Sequence, residues 1–556
     1  MPPGHYELRS MNNITADSLP LIEVDEDDDF EGAPPWAVPT YRVLALWWVG
    51  ACTVARLLCI AHLPLGNGEA YYYSWSRFLD WSYYDHPPLV AWMVRVTTLW
   101  GAFGSSSLAV HLGPVIASGA FGLLFHRLAE RLVSARAAFI GLVIVSCLPV
   151  FLASSFIVNP EAPLAPLWVG ALLAVLAMRD RDEAYRPIVA GALIGAAFLA
   201  KYTAILLVPA TLAYVVASPG MRRWLRRPSF YAGGLAALFV AMPVVVWNIL
   251  RGWPTLRLHL VERAGVSVPV AGENTVNQLV AASSSAGASV LQRLDRVLVG
   301  QLLAYSPLLV PLLLVGLVRA ARRARVDDRD LFVTVFTWPV LLPLIAAMVT
   351  MKDAEQHWTM VAFIPAAIAA GRWVDEAWDR ARWPRVLVTT GAALSAVLFV
   401  LANVHVHSTV FLDLMPADRY DPRADIASEL AGWDQVSAAM TRAAGAAGGR
   451  VVMASNHYSL CGRLLFETND TPAVYCPTAR RTAFTFFDRQ DPPADATVVT
   501  LTSDIQADMP DGLQDRECSL VDHVEIARGG RTVANYFVHS CAPLANPSRS
   551  RPIASR

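Results

Sequence analysis

Residues 66–90, GNGEAYYYSWSRFLDWSYYDHPPLV, decide how the rest of the chain is read. They follow the first long apolar run, yet they make neither a membrane span nor an ordinary polar loop. Tyr71, Tyr72, Tyr73, Trp75, Trp81, Tyr83 and Tyr84 surround Glu69, Arg77, Asp80, Asp85 and His86. Trp and Tyr favour the membrane–water boundary, where the ring is buried and its polar edge stays wet. Carboxylates and a histidine held there can act on a substrate whose tail lies in lipid. The remaining question is which side of a membrane the chain gives to this stretch.

Outward from it, apolar blocks of about 20 residues recur, the length a helix needs to cross a bilayer. The chain of 556 residues is 55% hydrophobic and 16% charged, where a soluble chain is about one quarter charged. This predicts a polytopic α-helical membrane protein with about eleven transmembrane helices, at 41–63, 108–128, 137–158, 162–178, 187–200, 202–216, 230–250, 297–318, 331–350, 358–373 and 386–404. A net charge of −1 leaves no basic excess to pair with nucleic acid. Basic clusters at Arg131 and Arg136, Arg179 to Arg186, Arg222 to Arg227, Arg319 to Arg325 and Arg380 to Arg385 flank the spans. The positive-inside rule assigns these flanks to the cytoplasm. The expected protein is thus a multi-pass cytoplasmic-membrane protein with its N-terminus inside. Residues 64–107, 159–161, Lys201-Tyr202, 251–293 and 352–358 then share the outer face.

Residues 1–38 carry the acidic run 23–31 and predict a disordered cytoplasmic tail, because like charges repel and little can be buried. The transmembrane domain covers 39–410. After it the composition changes, and 411–546 predict a small extracytoplasmic α/β domain, with strands near 450–454, 496–502 and 532–539 and a helix over 425–446. Residues 547–556 form a tail. Four cysteines, Cys461, Cys476, Cys518 and Cys541, lie in this domain, where one or two disulfides can form and the spacing does not fix the pairing.

Several polar residues on the predicted outer face could carry chemistry. Glu69 reads either as a loop carboxylate that caps a helix or as a base. Asp85 and His86 precede Pro87-Pro88, which can start a helix at Leu89, and a helix N-terminus favours an anion such as phosphate. Asn159 and Glu161 read as a proline-rich turn or as substrate contacts. Lys201 interrupts a long apolar run with Tyr202 beside it, either snorkelling or holding phosphate. His357 can anchor the boundary or neutralise phosphate, and Arg251 can meet an anionic lipid. Tyr72 completes the substrate-binding set.

The first-loop motif GEAYYYSWSRFLDWSYYDHPPLVAW resembles that of the lipid-linked-sugar glycosyltransferases related to protein O-mannosyltransferases and the lipid A aminoarabinose transferase, glycosyltransferase family 39 within the GT-C superfold. VNPEAPL, GAAFLAKYTAILLVPA, MPVVVWN followed by GWPTLR, GQLLAYSPL and EQHWTMVAFIP match in the same order. The likeness covers roughly residues 41 to 405. It implies a membrane enzyme that moves a sugar from a polyprenyl-phosphate donor, with inversion, to a lipid, glycan or protein acceptor. Glu69 or Asp85 would be the base, and Lys201, His86 and His357 would hold the phosphate. Some relatives use a divalent metal, Mg or Mn, and the sequence leaves that open. Family members usually carry Asp-Glu where this chain has Gly68-Glu69, and Asp where it has Glu161. The rival class is a lipid-linked-sugar binder or flippase that kept the fold without the base.

Overall fold

The computed structural model describes residues 37–259, 290–351, 354–478 and 480–544. The acidic run 23–31, most of the loop expected at 251–293 and the tail after 546 lie outside the described residues. Among the described residues six helices are long and apolar enough to cross a membrane: Thr40–Ile60, Ser107–Glu130, Glu161–Asp180, Pro228–Leu250, Asp328–Thr350 and Trp383–His407. The other expected spans are shorter or interrupted. Residues 137–158 divide into Ala135–Ser146 and Pro149–Ser154, because Pro149 lacks an N–H and starts a new helix better than it continues one. Residues 297–318 divide between Val290–Ala304 and Val310–Arg323, around Ser306 with its φ of 66° and Pro307.

Helix packing uses close backbone approach. A Cβ at Gly191 would lie 1.8 Å from the carbonyl oxygen of Gly233, so Arg186–Ala200 and Pro228–Leu250 touch main chain to main chain. Small residues drive such contacts where lipid supplies no hydrophobic gain between helices. The basic flanks are not left to solvent alone. Arg136 pairs with Asp375, Arg323 with Glu376, Arg372 with Asp330, Arg179 with Asp328, and Arg131 with Asp180. These linked pairs gather the basic clusters at one end of the bundle.

The C-terminal unit is a five-stranded sheet in the order β2-β1-β3-β5-β4. Its strands are β1 (Val451–Ser455), β2 (Val474–Tyr475), β3 (Thr497–Ser503), β4 (Cys518–Arg528) and β5 (Arg531–Cys541). β2, β1 and β3 run parallel, whereas β5 is antiparallel to both β3 and β4. The sequence reading found β1, β3 and β5. It missed β4, an edge strand with exposed Leu520 and Val521 and with Asp522, His523 and Glu525 in its middle, so no apolar alternation marks it. The helix expected over 425–446 is broken into Ile426–Leu430 and Trp433–Ala446, with Gly432 at φ 72° between them. The cysteines pair as Cys461–Cys476 and Cys518–Cys541.

This unit sits on the first loop. The helix Tyr458–Thr468 presses against the helix Asn67–Arg77 so closely that a Cβ at Gly462 would lie 2.8 Å from the Tyr71 nitrogen. Phe78 stacks on Phe487 at 4.8 Å and Tyr84 on Phe486 at 5.8 Å. This corrects the reason given for the aromatic stretch. Tyr71, Tyr73, Trp75, Tyr83 and Tyr84 are buried, packing within the loop and under the C-terminal unit, whereas Trp81 is 56% exposed. Gly462→Ala should therefore overpack this contact at a cost of about 1–3 kcal/mol. Limited proteolysis should then release the C-terminal unit faster than from wild type, while the transmembrane fragment stays intact.

Candidate functional site

A cavity of about 620 Å³ opens where the first loop, the turn before Glu161, the segment 355–358 and the C-terminal unit meet. Glu69, Tyr72, Asp85, His86, Asn159, Glu161 and His357, all singled out from sequence, line it. Lys201, Tyr202 and Arg251 are not among its lining residues. Phe156, Phe399, Ala402 and Val406 give it an apolar wall.

Glu69 is the most constrained of these residues. It stands in the first turn of Asn67–Arg77, where its Oε2 accepts the Gly66 N–H at 2.8 Å, a cap satisfying one of the orphan donors at a helix start. Its Oε1 accepts the Val158 N–H at 2.7 Å and lies 3.0 Å from His111 Nε2, a close charge contact rather than a well-aligned hydrogen bond. His111 Nδ1 lies 2.9 Å from the Ser107 carbonyl, while the Ser107 hydroxyl donates to the Leu63 carbonyl. Burial alone would raise the Glu69 carboxyl. His111 and the Val158 and Gly66 N–H groups outweigh it and hold the group below its usual 4.5. A carboxylate so fixed is a poor base and a good brace.

That depression sets a sign. The folded value lies below the unfolded one, so the stability Glu69 contributes is complete above about pH 4.5 and disappears as pH falls through the folded value. Glu69→Gln should lose that contribution, about 1–3 kcal/mol for a charge-assisted buried bond. It should also flatten the acid limb of a thermal-midpoint-against-pH curve measured in detergent.

Asp85 is held differently. Its Oδ2 accepts the Tyr71 hydroxyl at 2.7 Å, and that same oxygen of Tyr71 accepts the Ala483 N–H at 2.8 Å. Burial first, then the Asp85 charge, pushes the Tyr71 phenol well above its usual value, so it stays protonated and donates. The Asp85 carbonyl meets His259 Nε2 at 3.0 Å. The helix expected from Leu89 starts there and ends at Thr97. Neighbouring His86 lies with its ring 6.2 Å from that of Tyr72. The Tyr72 phenol is likewise pushed well above its usual value, by burial and then by Glu355, Glu161 and Asp85.

Lys201 departs most from the sequence expectation. It is buried and bonded to Glu161, which is itself 2% exposed. His357 Nε2 lies 3.0 Å from Glu161 and 3.0 Å from Glu355. A cation neutralised by a buried carboxylate has little attraction left for phosphate, so Lys201 holds Glu161 in place. Asn159 Oδ1 accepts the Ala162 N–H at 3.0 Å and caps the start of Glu161–Asp180. Tyr202 reaches Ser82 at 3.3 Å. Arg251 lies 3.9 Å from Asp80 and 5.8 Å from the Phe486 ring centroid, bracing the first loop. Glu161, His357 and Glu355 could offer donors to a cation, but Lys201 already occupies that environment. Among the described residues no group of three His, Cys, Asp or Glu side chains is arranged to hold a metal ion.

Sequence reasoning missed His111, Tyr458, Arg480, Arg481 and Glu429. His111 had a signal, a lone histidine four residues after Ser107 inside an apolar helix. The others line the cavity from the far end of the chain. Glu429 Oε1 accepts the Asn67 N–H at 2.7 Å, so both domains cap the same helix.

A family model described as dolichyl-phosphate-mannose-protein mannosyltransferase matches residues 85–247. Lipid A galacturonosyltransferase RgtD of Rhizobium johnstonii is 28% identical over 369 residues, 65% of this chain and 71% of that protein. Crystal structures of ArnT from Cupriavidus metallidurans align at 15% identity, covering 90% of this chain and 98% of theirs. The TM-score is 0.55 for the apo state and 0.53 for the complex with undecaprenyl phosphate. At that identity the likeness is one of fold.

Proposed function

We propose that this chain, a membrane glycosyltransferase by resemblance and with the GT-C fold, moves a sugar from a polyprenyl-phosphate donor to an acceptor hydroxyl or phosphate. The observation that carries this reading is the cavity's two-sided character. Asp85, His86, Tyr72 and His357 line it together with Phe156, Phe399 and Val406, which suits a ligand with a charged head and a hydrocarbon tail. The proposed orientation puts this cavity on the extracytoplasmic side, with the N-terminus inside.

Asp85 is the proposed base. For a hydroxyl acceptor, the oxygen attacks the anomeric carbon as its proton passes to the Asp85 carboxylate. The bond from that carbon to the phosphate oxygen breaks, and the sugar inverts. The leaving polyprenyl phosphate carries the electron pair away. His86 and His357 line the same cavity and would stabilise its charge. Tyr71, Glu69, His111 and Lys201 are positioning residues, since each acts through another group. RgtD is by name a galacturonosyltransferase acting on lipid A, and a glycolipid acceptor is the corresponding proposal here.

The test is transfer by purified full-length protein from undecaprenyl-phosphate sugars, radiolabelled in the sugar, to a membrane glycolipid fraction. Labelled product with inverted configuration supports the reading. Donor binding without product from any sugar tried would sink it in favour of the non-catalytic binder, for which the missing acid at Gly68 is the supporting feature.

A further inference from the structure

The C-terminal unit puts two adjacent arginines, Arg480 and Arg481, on the wall of the cavity. Among the described residues they are its permanently cationic lining, with no lysine and no other arginine beside them. We propose that they read an anionic group, a carboxylate or phosphate, carried by the substrate away from the bond being broken. This rests on the transferase reading above and names the chemical class that the site selects.

The backbone under the pair is braced. Cys476 is tied to Cys461 by a disulfide, and its N–H is taken by the Arg489 carbonyl at 2.7 Å. Gln490 donates to the Thr478 carbonyl at 2.7 Å, and the Arg480 N–H meets the Thr478 hydroxyl at 3.3 Å. Two residues beyond Arg481, Ala483 donates to the Tyr71 hydroxyl that orients Asp85. Phe484, Phe486 and Phe487 then pack on Tyr71, Tyr84 and Phe78. The arginines are thus held in register with the proposed base. Arg481 is exposed and makes no ion pair with a described residue.

Charge accounting points the same way. Three of the five carboxylates lining the cavity have a cationic or imidazole partner, Glu69 with His111, Glu161 with Lys201 and His357, and Glu355 with His357, while Asp85 accepts the Tyr71 hydroxyl and Glu429 the Asn67 N–H. An anion entering the cavity meets the two arginines on the wall that the C-terminal unit supplies. Guanidinium groups match planar carboxylate and phosphate oxygens by paired hydrogen bonds. Gly68 adds room, because a Cβ there meets nothing within 4 Å.

The experiment is equilibrium binding to full-length protein in nanodiscs. The probes are undecaprenyl-phosphate galacturonic acid, undecaprenyl-phosphate galactose, and a phosphorylated disaccharide glycolipid with its dephosphorylated counterpart. Arg480→Gln/Arg481→Gln should weaken the charged member of one matched pair by about 10–100-fold, as expected for two charge-assisted contacts. The neutral member should stay within about twofold of wild type on the same basis. Loss confined to the uronic donor assigns the group to the sugar; loss confined to the phosphorylated glycolipid assigns it to the acceptor. Equal weakening of all four probes, or no change in any, overturns the proposal. Arg480→Lys/Arg481→Lys should recover part of the discrimination, which separates recognition from misfolding. Gly68→Asp, with its added charge in open space, should lower the charged probe's affinity alone. If wild type binds these probes yet transfers no sugar, the transferase reading fails while the discrimination still tests the arginines.

Discussion

Asp85→Asn should reduce sugar transfer by about 10²–10⁴-fold, the usual contribution of a positioned general base. The substitution is nearly isosteric, and its amide oxygen can still accept the Tyr71 hydroxyl that Asp85 Oδ2 accepts at 2.7 Å. Folding and donor binding should therefore be preserved, with the loss confined to the chemical step. The comparison with Glu69 makes the assignment sharp. Glu69 takes N–H groups from Gly66 and Val158 and contacts His111, so its lone pairs are spent on structure and its basicity is lowered. Glu69→Gln should cost thermal stability, with the residual activity of the folded fraction exceeding that of Asp85→Asn. Single-turnover rates on protein verified as folded decide the matter. Transfer within about threefold of wild type in Asp85→Asn, together with its abolition in folded Glu69→Gln, would move the base to Glu69.

The second large effect concerns the buried pair of Lys201 and Glu161. Removing one member of such a pair leaves an uncompensated charge in low dielectric and costs about 3–5 kcal/mol. Lys201→Met should therefore lower the unfolding midpoint in detergent sharply. Glu161→Gln should do so at least as strongly, since Lys201 then loses its carboxylate, whereas in Lys201→Met the Glu161 carboxylate keeps His357 at 3.0 Å. Replacing both members, as Lys201→Met/Glu161→Leu, should recover most of the stability, because well-packed apolar residues often match a buried ion pair. If Lys201 instead gripped substrate phosphate, Lys201→Met would keep its stability and lose donor affinity. That pattern would return Lys201 to the role read from sequence.

The features legible in the sequence were those written in local patterns. Long apolar runs located the membrane helices, basic clusters marked the end of the bundle where they now form ion pairs, and the apolar strands β1, β3 and β5 stood out from their surroundings. The cavity-lining residues Glu69, Asp85, His86, Glu161 and His357 stood out because charge is conspicuous beside apolar sequence. Their partners were not found. The Tyr71–Ala483 bond joins residues 412 positions apart, and no local spacing encodes such a contact. Lys201 illustrates the same limit, since a lone cation in an apolar run looks available until Glu161, 40 positions earlier, is folded against it. The aromatic stretch was located correctly and explained by the wrong neighbour. Rings that suit a lipid boundary suit a domain interface equally well, because both offer an apolar side and a polar one.

The phenol of Tyr71, accepting from Ala483 and donating to Asp85, has a consequence for how this architecture can diversify. A C-terminal unit joined to it is not an interchangeable accessory: one transplanted from a relative would need an N–H at the position of Ala483, or the proposed base would lose its orientation. Recombination between relatives should therefore succeed when residues 476–487 travel together with 66–90, and fail when the joint falls between them. The two segments form a unit of inheritance that the boundary between domains does not reveal.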